Sequence, residues 1–327
     1  MSPSMRAAFV RELGGPENIE IGRLPIPVPG PTDVLVRMEA SAVNHVDLFV
    51  RSAAYETPTP FPFVIGRDLV GTVEATGTGV AGFRRGERVW TNSLGHDGRQ
   101  GAFAEYALVP ADRLYRLPTG VAAEHAAPVL HVAATAYLGL ARHAALRPGE
   151  TVYVAGGAGG VGSMVIQLAS IMGATVIASA SADDTDRCRS LGAATVIDYA
   201  ADDVNARIAQ AAPDGVDVWW DNAGQHDFAN LLPLMAPGGR VILVSGITAE
   251  RVLPVGDVYT RDIRLLGFAI SNASVTDLAD AARVVNRLLS DGRLTARVGA
   301  AFSLDEAADA HRAQAAGSVR GRIVVLP

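Results

Sequence analysis

The residues best suited to chemistry are a run of glycines, Tyr153-Val154-Ala155-Gly156-Gly157-Ala158-Gly159-Gly160-Val161-Gly162, lying between an apolar stretch and an amphipathic one. Within it Gly157-x-Gly159-x-x-Gly162 has the spacing of a turn that receives a dinucleotide. Glycine has no Cβ, so the chain bends tightly, a pyrophosphate approaches the backbone N–H groups, and the next helix packs against the preceding strand. The positive end of that helix then faces the phosphates. Glycine accounts for 34 of 327 residues, so the spacing alone is a weak signal; a strand before it, a helix after it and further strand–helix units beyond give it weight. Gly157, Gly159, Gly160, Val161 and Gly162 are the candidate cofactor-binding residues of the turn, against the plainer reading of a turn that only packs.

Selectivity between NADH and NADPH is usually set at the end of the second strand, where an acidic residue bonds the ribose 2′-hydroxyl of NAD. Here that strand ends Ile177-Ala178-Ser179-Ala180-Ser181, with no acid. Small hydroxyl residues leave room for a 2′-phosphate, and Arg187 or Arg189 would supply charge, so the spacing favours NADPH. Asp183 and Asp184 point the other way if they face the ribose, but Ser181-x-x-Asp184 also reads as a capping box. A catalytic metal has few candidate ligands. The chain has one cysteine, Cys188, and its seven histidines, at 45, 96, 125, 131, 143, 226 and 311, show no pairing at metal-ligand spacing, so no metal is expected.

These residues need elements to position them. Residues 5–116 show short β-rich runs (33–40, 71–75, 102–109) broken by Gly and Pro, with little helical pattern. From about 121 an Ala-rich helical stretch leads into regular alternation: strands at 151–155, 175–180, 195–197, 216–220 and 240–245, helices at 160–172, 183–191, 204–211 and 226–235. That order implies right-handed βαβ units and a doubly wound parallel sheet of Rossmann type. From about 267 the chain returns to a strand, two helices and a closing strand at 322–326. Two domains are expected, one of residues 123–266 and one of 1–122 with 267–327. With 28 basic and 34 acidic residues the net charge is −6, which gives nucleic acid or anionic lipid no broad cationic face. No apolar run reaches the ~18 residues of a membrane span, the first eleven residues carry no signal pattern, and a lone cysteine suits a reducing cytoplasm.

Taken together, the motifs resemble the zinc-independent medium-chain dehydrogenases/reductases, in particular the zeta-crystallin-like NADPH:quinone oxidoreductase family. The matching pieces run almost end to end: Gly14-Gly15-Pro16-Glu17, Ser41-Ala42-Val43-Asn44-His45-Val46-Asp47, Gly66-Arg67-Asp68-Leu69-Val70-Gly71, Gly86-Glu87-Arg88-Val89, Gly101-Ala102-Phe103-Ala104-Glu105-Tyr106, the glycine turn, Ala236-Pro237-Gly238-Gly239-Arg240 and Arg320-Gly321-Arg322-Ile323-Val324. Zinc-dependent relatives read Gly-His-Glu where this chain has Gly66-Arg67-Asp68, so the metal-binding histidine is replaced by arginine. The resemblance implies a GroES-like catalytic domain of distorted β-barrel type built from both chain ends, with the Rossmann domain inserted.

It further implies that Asn44 lies near the nicotinamide and Tyr55 at the substrate pocket. Thr135, Ser179, Ser181 and Tyr199 match positions around the cofactor, and Gly246, Ile247, Phe268, Ala269 and Ile270 match loops touching its nicotinamide half. The chain departs from the family in lacking a lysine in Ser181-Ala182-Asp183-Asp184-Thr185-Asp186, and in carrying Trp219-Trp220 and Asn222-Ala223-Gly224 where relatives have smaller apolar residues and Asp-x-Val-Gly. The expected reaction is hydride transfer from NADPH to a quinone or similar conjugated carbonyl, an acceptor whose product anion is delocalised and needs no metal. Reduction of an activated C=C bond in an enone or enoyl thioester is the second enzymatic reading, and a non-catalytic NADPH-binding protein is the reading from another class. The family also implies a homodimer.

Overall fold

The structure is a computed structural model describing residues 3–327; Met1 and Ser2, part of the N-terminal stretch considered above, lie outside the described residues. The chain divides into two compact units, Met1–His131 with Ala273–Pro327, and Val132–Asn272. Strands of the first unit are β1 (Ser4–Val10), β2 (Glu20–Pro25), β3 (Asp33–Ala42), β4 (Phe63–Val64), β5 (Leu69–Thr76), β6 (Arg88–Thr91), β7 (Tyr106–Pro110) and β8 (Tyr115–Arg116). The second unit holds β9 (Thr151–Ala155), β10 (Thr175–Ala180), β11 (Thr195–Asp198), β12 (Val216–Asp221), β13 (Met235–Leu243) and β14 (Arg264–Gly267). The chain then returns to the first unit with β15 (Val298–Ser303) and β16 (Arg322–Leu326).

In the first unit β2-β1-β4 form a small sheet, and β15-β16-β3-β5-β6-β8 form a larger one, with β7 also paired to β3. Pairing is antiparallel except for β15 with β16. The link between the two sheets is an isolated bridge from Ala7 to Ala104, and among the described residues the strands do not close into one continuous barrel. The core is built from alternate residues such as Val34, Val36 and Met38 of β3, joined by Phe63, Phe103, Ile323 and Val325. Because both chain ends supply strands, Arg322 of β16 is carried beside residues from the N-terminal third.

The second unit is a six-stranded parallel sheet in the order β11-β10-β9-β12-β13-β14. This is the doubly wound order whose direction of winding reverses between β9 and β12. Its central strands are apolar on both faces, as parallel strands covered by helices must be, with Val152, Val154, Ile177, Val218 and Val241 fully buried. Three local expectations are corrected. The helix expected at 226–235 is only Phe228–Leu231 followed by a 3-10 turn, Leu232–Leu234, because Pro233 lacks the N–H needed to continue it. Strand β13 begins at Met235 rather than 240: Val216 pairs with Met235 and Val218 with Arg240, so residues 236–239 form a bulge that uses the left-handed Gly238. The helix expected at 183–191 divides into a 3-10 turn, Ala182–Asp184, and a helix, Thr185–Ser190. Among the described residues no helix is long and apolar enough to cross a membrane.

Candidate active site

In the second unit the glycine turn leaves the carboxyl end of β9 and enters the helix Gly160–Ile171. Gly156 adopts φ +68°, a left-handed conformation open to glycine at no steric cost, and the Gly157 N–H donates to the Ser179 carbonyl at 2.8 Å, tying the turn to β10. A Cβ on Gly162 would lie 2.2 Å from the Gly156 oxygen, and one on Gly157 would lie 2.9 Å from side-chain carbons of Ala178 and Ile166. Both positions therefore need glycine for packing. Gly159 caps the helix with extended backbone and no side-chain hydrogen bond, and the first turn carries no acidic residue. The leading N–H groups of Gly160, Val161 and Gly162 thus meet no capping side chain, and the helix field is not offset by a nearby carboxylate. A pyrophosphate fits such a cradle.

The ends of the next strands are engaged differently from one another. Ser179 is buried, and its hydroxyl accepts a hydrogen bond of 2.9 Å from the Tyr153 hydroxyl. Burial pushes the Tyr153 phenol up, against the opposing hydrogen bond with Ser179. Ser181 is half-buried and donates to Asp184 at 3.3 Å, while its carbonyl accepts the Asp184 N–H. The expected capping box is therefore incomplete: the serine hydroxyl bonds the carboxylate and does not take a backbone N–H. Tyr199 is 58% exposed, and its N–H bonds the Ala180 carbonyl, so its ring stands at the open end of β10 and β11. Arg189 is paired with Asp186 at 3.1 Å.

Asp221, the last residue of β12, organises the loop that follows. Its carboxylate accepts N–H bonds from Ala223, Gly224 and His226 at 2.7, 3.1 and 2.9 Å. Asn222 donates to the Ala155 carbonyl at 3.0 Å and accepts from the Trp220 indole at 2.9 Å. Gly246 and Ile247 follow β13, with Ile247 exposed. Phe268 stacks on His143 at 4.3 Å and meets Trp220 edge-on at 6.4 Å, which is the packing of an aromatic cluster. Ala269 is half-buried, Ile270 is buried and opens a 3-10 turn, and Thr135 is buried on the helix Ala123–Tyr137.

The first unit contains a buried polar cluster. Asn44 caps the helix His45–Arg51, and its N–H donates to the Asp47 carboxylate at 2.8 Å. Its side-chain oxygen accepts from Arg322 at 2.6 Å and its amide nitrogen donates to Asp68 at 2.9 Å, so the amide orientation is fixed from both sides. Arg322 also donates to the Pro128 carbonyl, and the Ser41 hydroxyl donates to the Asp68 carbonyl. Two acids, Asp47 and Asp68, and two bases, Arg67 and Arg322, are all buried. Burial pushes Asp68 up to about 8 and Asp47 up to about 6, outweighing the Asn44 hydrogen bonds and the arginine charges that act to lower both. Asp68 is therefore largely a neutral carboxylic acid at pH 7, and its second oxygen, Oδ1, has no hydrogen-bond partner among the described residues. Tyr55 lies half-buried against His96, ring centres 5.7 Å apart. Burial and then the Arg67 charge push His96 down to about 4 and His131 to about 3, so neither imidazole is a cation at neutral pH.

Comparison with known proteins fits this arrangement. Residues 30–119 match the alcohol dehydrogenase GroES-like domain, and residues 160–287 match the zinc-binding dehydrogenase family. A quinone oxidoreductase of Pseudomonas aeruginosa is 31% identical over 324 residues, covering 96% of this chain and 97% of its own. The mycobacterial protein Rv1454c, solved in complex with NADPH, superposes with a TM-score of 0.87 at 30% identity, covering 99% of this chain and all of that one. An NAD-dependent alcohol dehydrogenase superposes with a TM-score of 0.89 at 30% identity over the same shares. The chain belongs to the zinc-independent quinone oxidoreductase family of medium-chain dehydrogenases/reductases. It is an oxidoreductase that uses a nicotinamide cofactor.

Within this family frame the structure gathers the glycine turn, Ser179, Ser181 and Tyr199 at the carboxyl ends of three adjacent strands, with Gly246 and Ile247 following β13 of the same sheet. It holds Asn44 as the hub of the buried cluster, while Tyr55 sits by His96. Among the described residues no group of three or more His, Cys, Asp or Glu side chains is placed to hold a metal ion. Sequence reasoning passed over Tyr153, Asp221 and His226, and assigned no role to Arg322. Asp221 had a readable signal, an acid closing an apolar strand just before Asn222-Ala223-Gly224, whereas the partners of Arg322 lie 194 and 278 residues away. Gly162→Ala is expected to raise the Kd for the nicotinamide cofactor at least about tenfold, or ~1.4 kcal/mol, in a fluorescence titration; unchanged affinity contradicts the close approach as drawn. The raised Asp68 carboxyl holds a proton in the folded state that the unfolded chain has released, so stability falls as pH rises from about 4 to about 8. Asp68→Asn should flatten that decline by up to ~1.4 kcal/mol per pH unit in denaturant titrations, and a slope equal to wild type contradicts it.

Proposed function

We propose that the protein transfers hydride from NADPH to a quinone or similarly electron-poor conjugated carbonyl. The observation that supports the NADPH preference is that residues 177–181, at the end of β10, contain no acid, with Ser181 and the exposed Tyr199 ring assigned to the ribose 2′-substituent. Bound NADPH supplies the hydride equivalent, two electrons and one proton, and a second proton completes the hydroquinone. This chain's residues bind and orient. The glycine turn and the unopposed helix end receive the pyrophosphate, and Tyr199 offers a ring beside the adenosine end. Asn44 is held in one orientation by its bonds with Arg322 and Asp68. Proximity supplies most of the rate, because a quinone takes hydride without electrophilic assistance.

The neutral Asp68 and the Tyr55 phenol also give reduction of an activated C=C bond a place as the second reading, since that reaction ends in protonation at carbon. The cytoplasmic assignment rests on the lone, buried Cys188, and the homodimer on β14, which ends its sheet and leaves one edge for a second copy.

Titration with NADPH and NADH should give tighter NADPH binding, followed by faster NADPH oxidation with 1,4-benzoquinone or a phenanthrenequinone than with an enoyl thioester. Tighter NADH binding overturns the role given to Ser181 and Tyr199. Faster enoyl thioester turnover selects the second reading, and binding without oxidation by any acceptor selects a non-catalytic role. Tyr55→Phe should cost less than about tenfold in kcat with a quinone; a loss of about a hundredfold or more assigns Tyr55 as an obligatory acid.

A further inference from the structure

The winding of the parallel sheet reverses between β9 and β12, so a bound dinucleotide lies between the turn after β9 and the loop after β12. The first wall is stiffened by the twelve-residue helix Gly160–Ile171. The second has no such support, because only the four-residue helix Phe228–Leu231 follows. We infer that His226 is a positioning residue for the dinucleotide, clasping the loop after β12 to the loop after β13 and so fixing the second wall. This inference rests on the dinucleotide reading of the unit.

The geometry is that of a clasp. The His226 N–H and the N–H groups of Ala223 and Gly224 converge on the Asp221 carboxylate. The imidazole then reaches across: Nε2 lies 3.0 Å from the carbonyl oxygen of Ser245, just beyond β13, while Nδ1 lies 3.2 Å from Asp221 Oδ2 without hydrogen-bond geometry, so the link to Asp221 is made by the His226 backbone N–H. The Ser245 hydroxyl closes the circuit by donating to the Asp221 carbonyl at 2.7 Å. To reach this position His226 adopts φ +42°, a left-handed conformation that costs a non-glycine residue about 1 kcal/mol or more and persists where its surroundings hold it. The two loops are in contact: a Cβ on Gly224 would lie 3.0 Å from the Gly246 nitrogen, and one on Gly246 would lie 3.3 Å from the His226 ring. Asn222, in the same loop, is bonded to Ala155 at the start of the glycine turn, so movement of the clasped loop is felt at the opposite wall.

Without the ring, the two loops keep the Ser245 hydroxyl bond to the Asp221 carbonyl but lose the bond from the ring to the Ser245 carbonyl, and with it the tie that reaches residue 226. Ordering the loops then falls to cofactor binding, which weakens by that cost. A cavity of about 400 Å³, bordered by Asp227, Phe228, Arg251 and Val252, opens beside the ring, so a replacement side chain is not forced into a packed core.

The test compares wild type with His226→Asn. Asparagine tolerates a left-handed backbone but is too short to reach the Ser245 carbonyl. The Kd for NADPH should rise about tenfold, while the acceptor KM at saturating NADPH stays within about twofold. In the cofactor-free protein, amide hydrogens of residues 223–226 should exchange about tenfold faster, with those of β9 and β10 unchanged. A variant that binds NADPH within about twofold of wild type overturns the inference alone. So does one in which acceptor KM and exchange in β9 and β10 rise along with Kd, because His226 then supports the fold generally. Wild-type protein that binds neither NADPH nor NADH overturns the dinucleotide reading and this inference with it.

Discussion

The approach of Gly162 to the Gly156 carbonyl, so close that a methyl group would stand 2.2 Å from the oxygen, sets the geometry of the nucleotide unit. It lets the helix Gly160–Ile171 start directly over the end of β9, with its first N–H groups uncapped. A side chain there would push the helix away, and the positive helix end would no longer meet the turn it serves. The neighbouring contacts follow from the same closeness. Gly157 packs onto Ala178 and Ile166, which brings β10 and its serines to the turn, and Asn222 bonds Ala155 across from β12.

The buried cluster of the first unit is organised by a different constraint. Four ionisable side chains, Asp47, Arg67, Asp68 and Arg322, lie in an environment that penalises charge. Part of the tension is relieved by keeping Asp68 protonated and part by hydrogen bonds through Asn44. Replacement by apolar residues would often be neutral or stabilising at such a site, so the cluster is better understood as holding a defined arrangement of polar groups than as a source of stability. The same burial keeps His96 and His131 uncharged at neutral pH. Arg67, standing where zinc-dependent relatives have a metal-binding histidine, is buried, and that burial pushes its pKa down against the opposing pull of Asp47 and Asp68.

Much of this was legible from residue order. The glycine turn, the strands around it, the acid-free end of β10 and the two-part architecture are local or periodic signals. Errors came where one residue's chemistry outweighed the pattern. Pro233 stopped a helix that periodicity extended to 235, and the flexible Gly238 let β13 absorb a bulge and begin five residues early. Ser181 and Asp184 had the spacing of a capping box, yet the hydroxyl turned to the carboxylate.

By itself the sequence determined the doubly wound sheet and the glycine turn that opens it, because these depend on backbone freedom and on periodicity within short stretches. The tertiary structure alone decided that Arg322 would lock Asn44 from 278 residues away, that Asp68 would be neutral, and that His226 would join two loops. Each of these depends on burial or on a partner distant in the chain, and a linear reading carries neither the local dielectric nor the contacts that folding brings together.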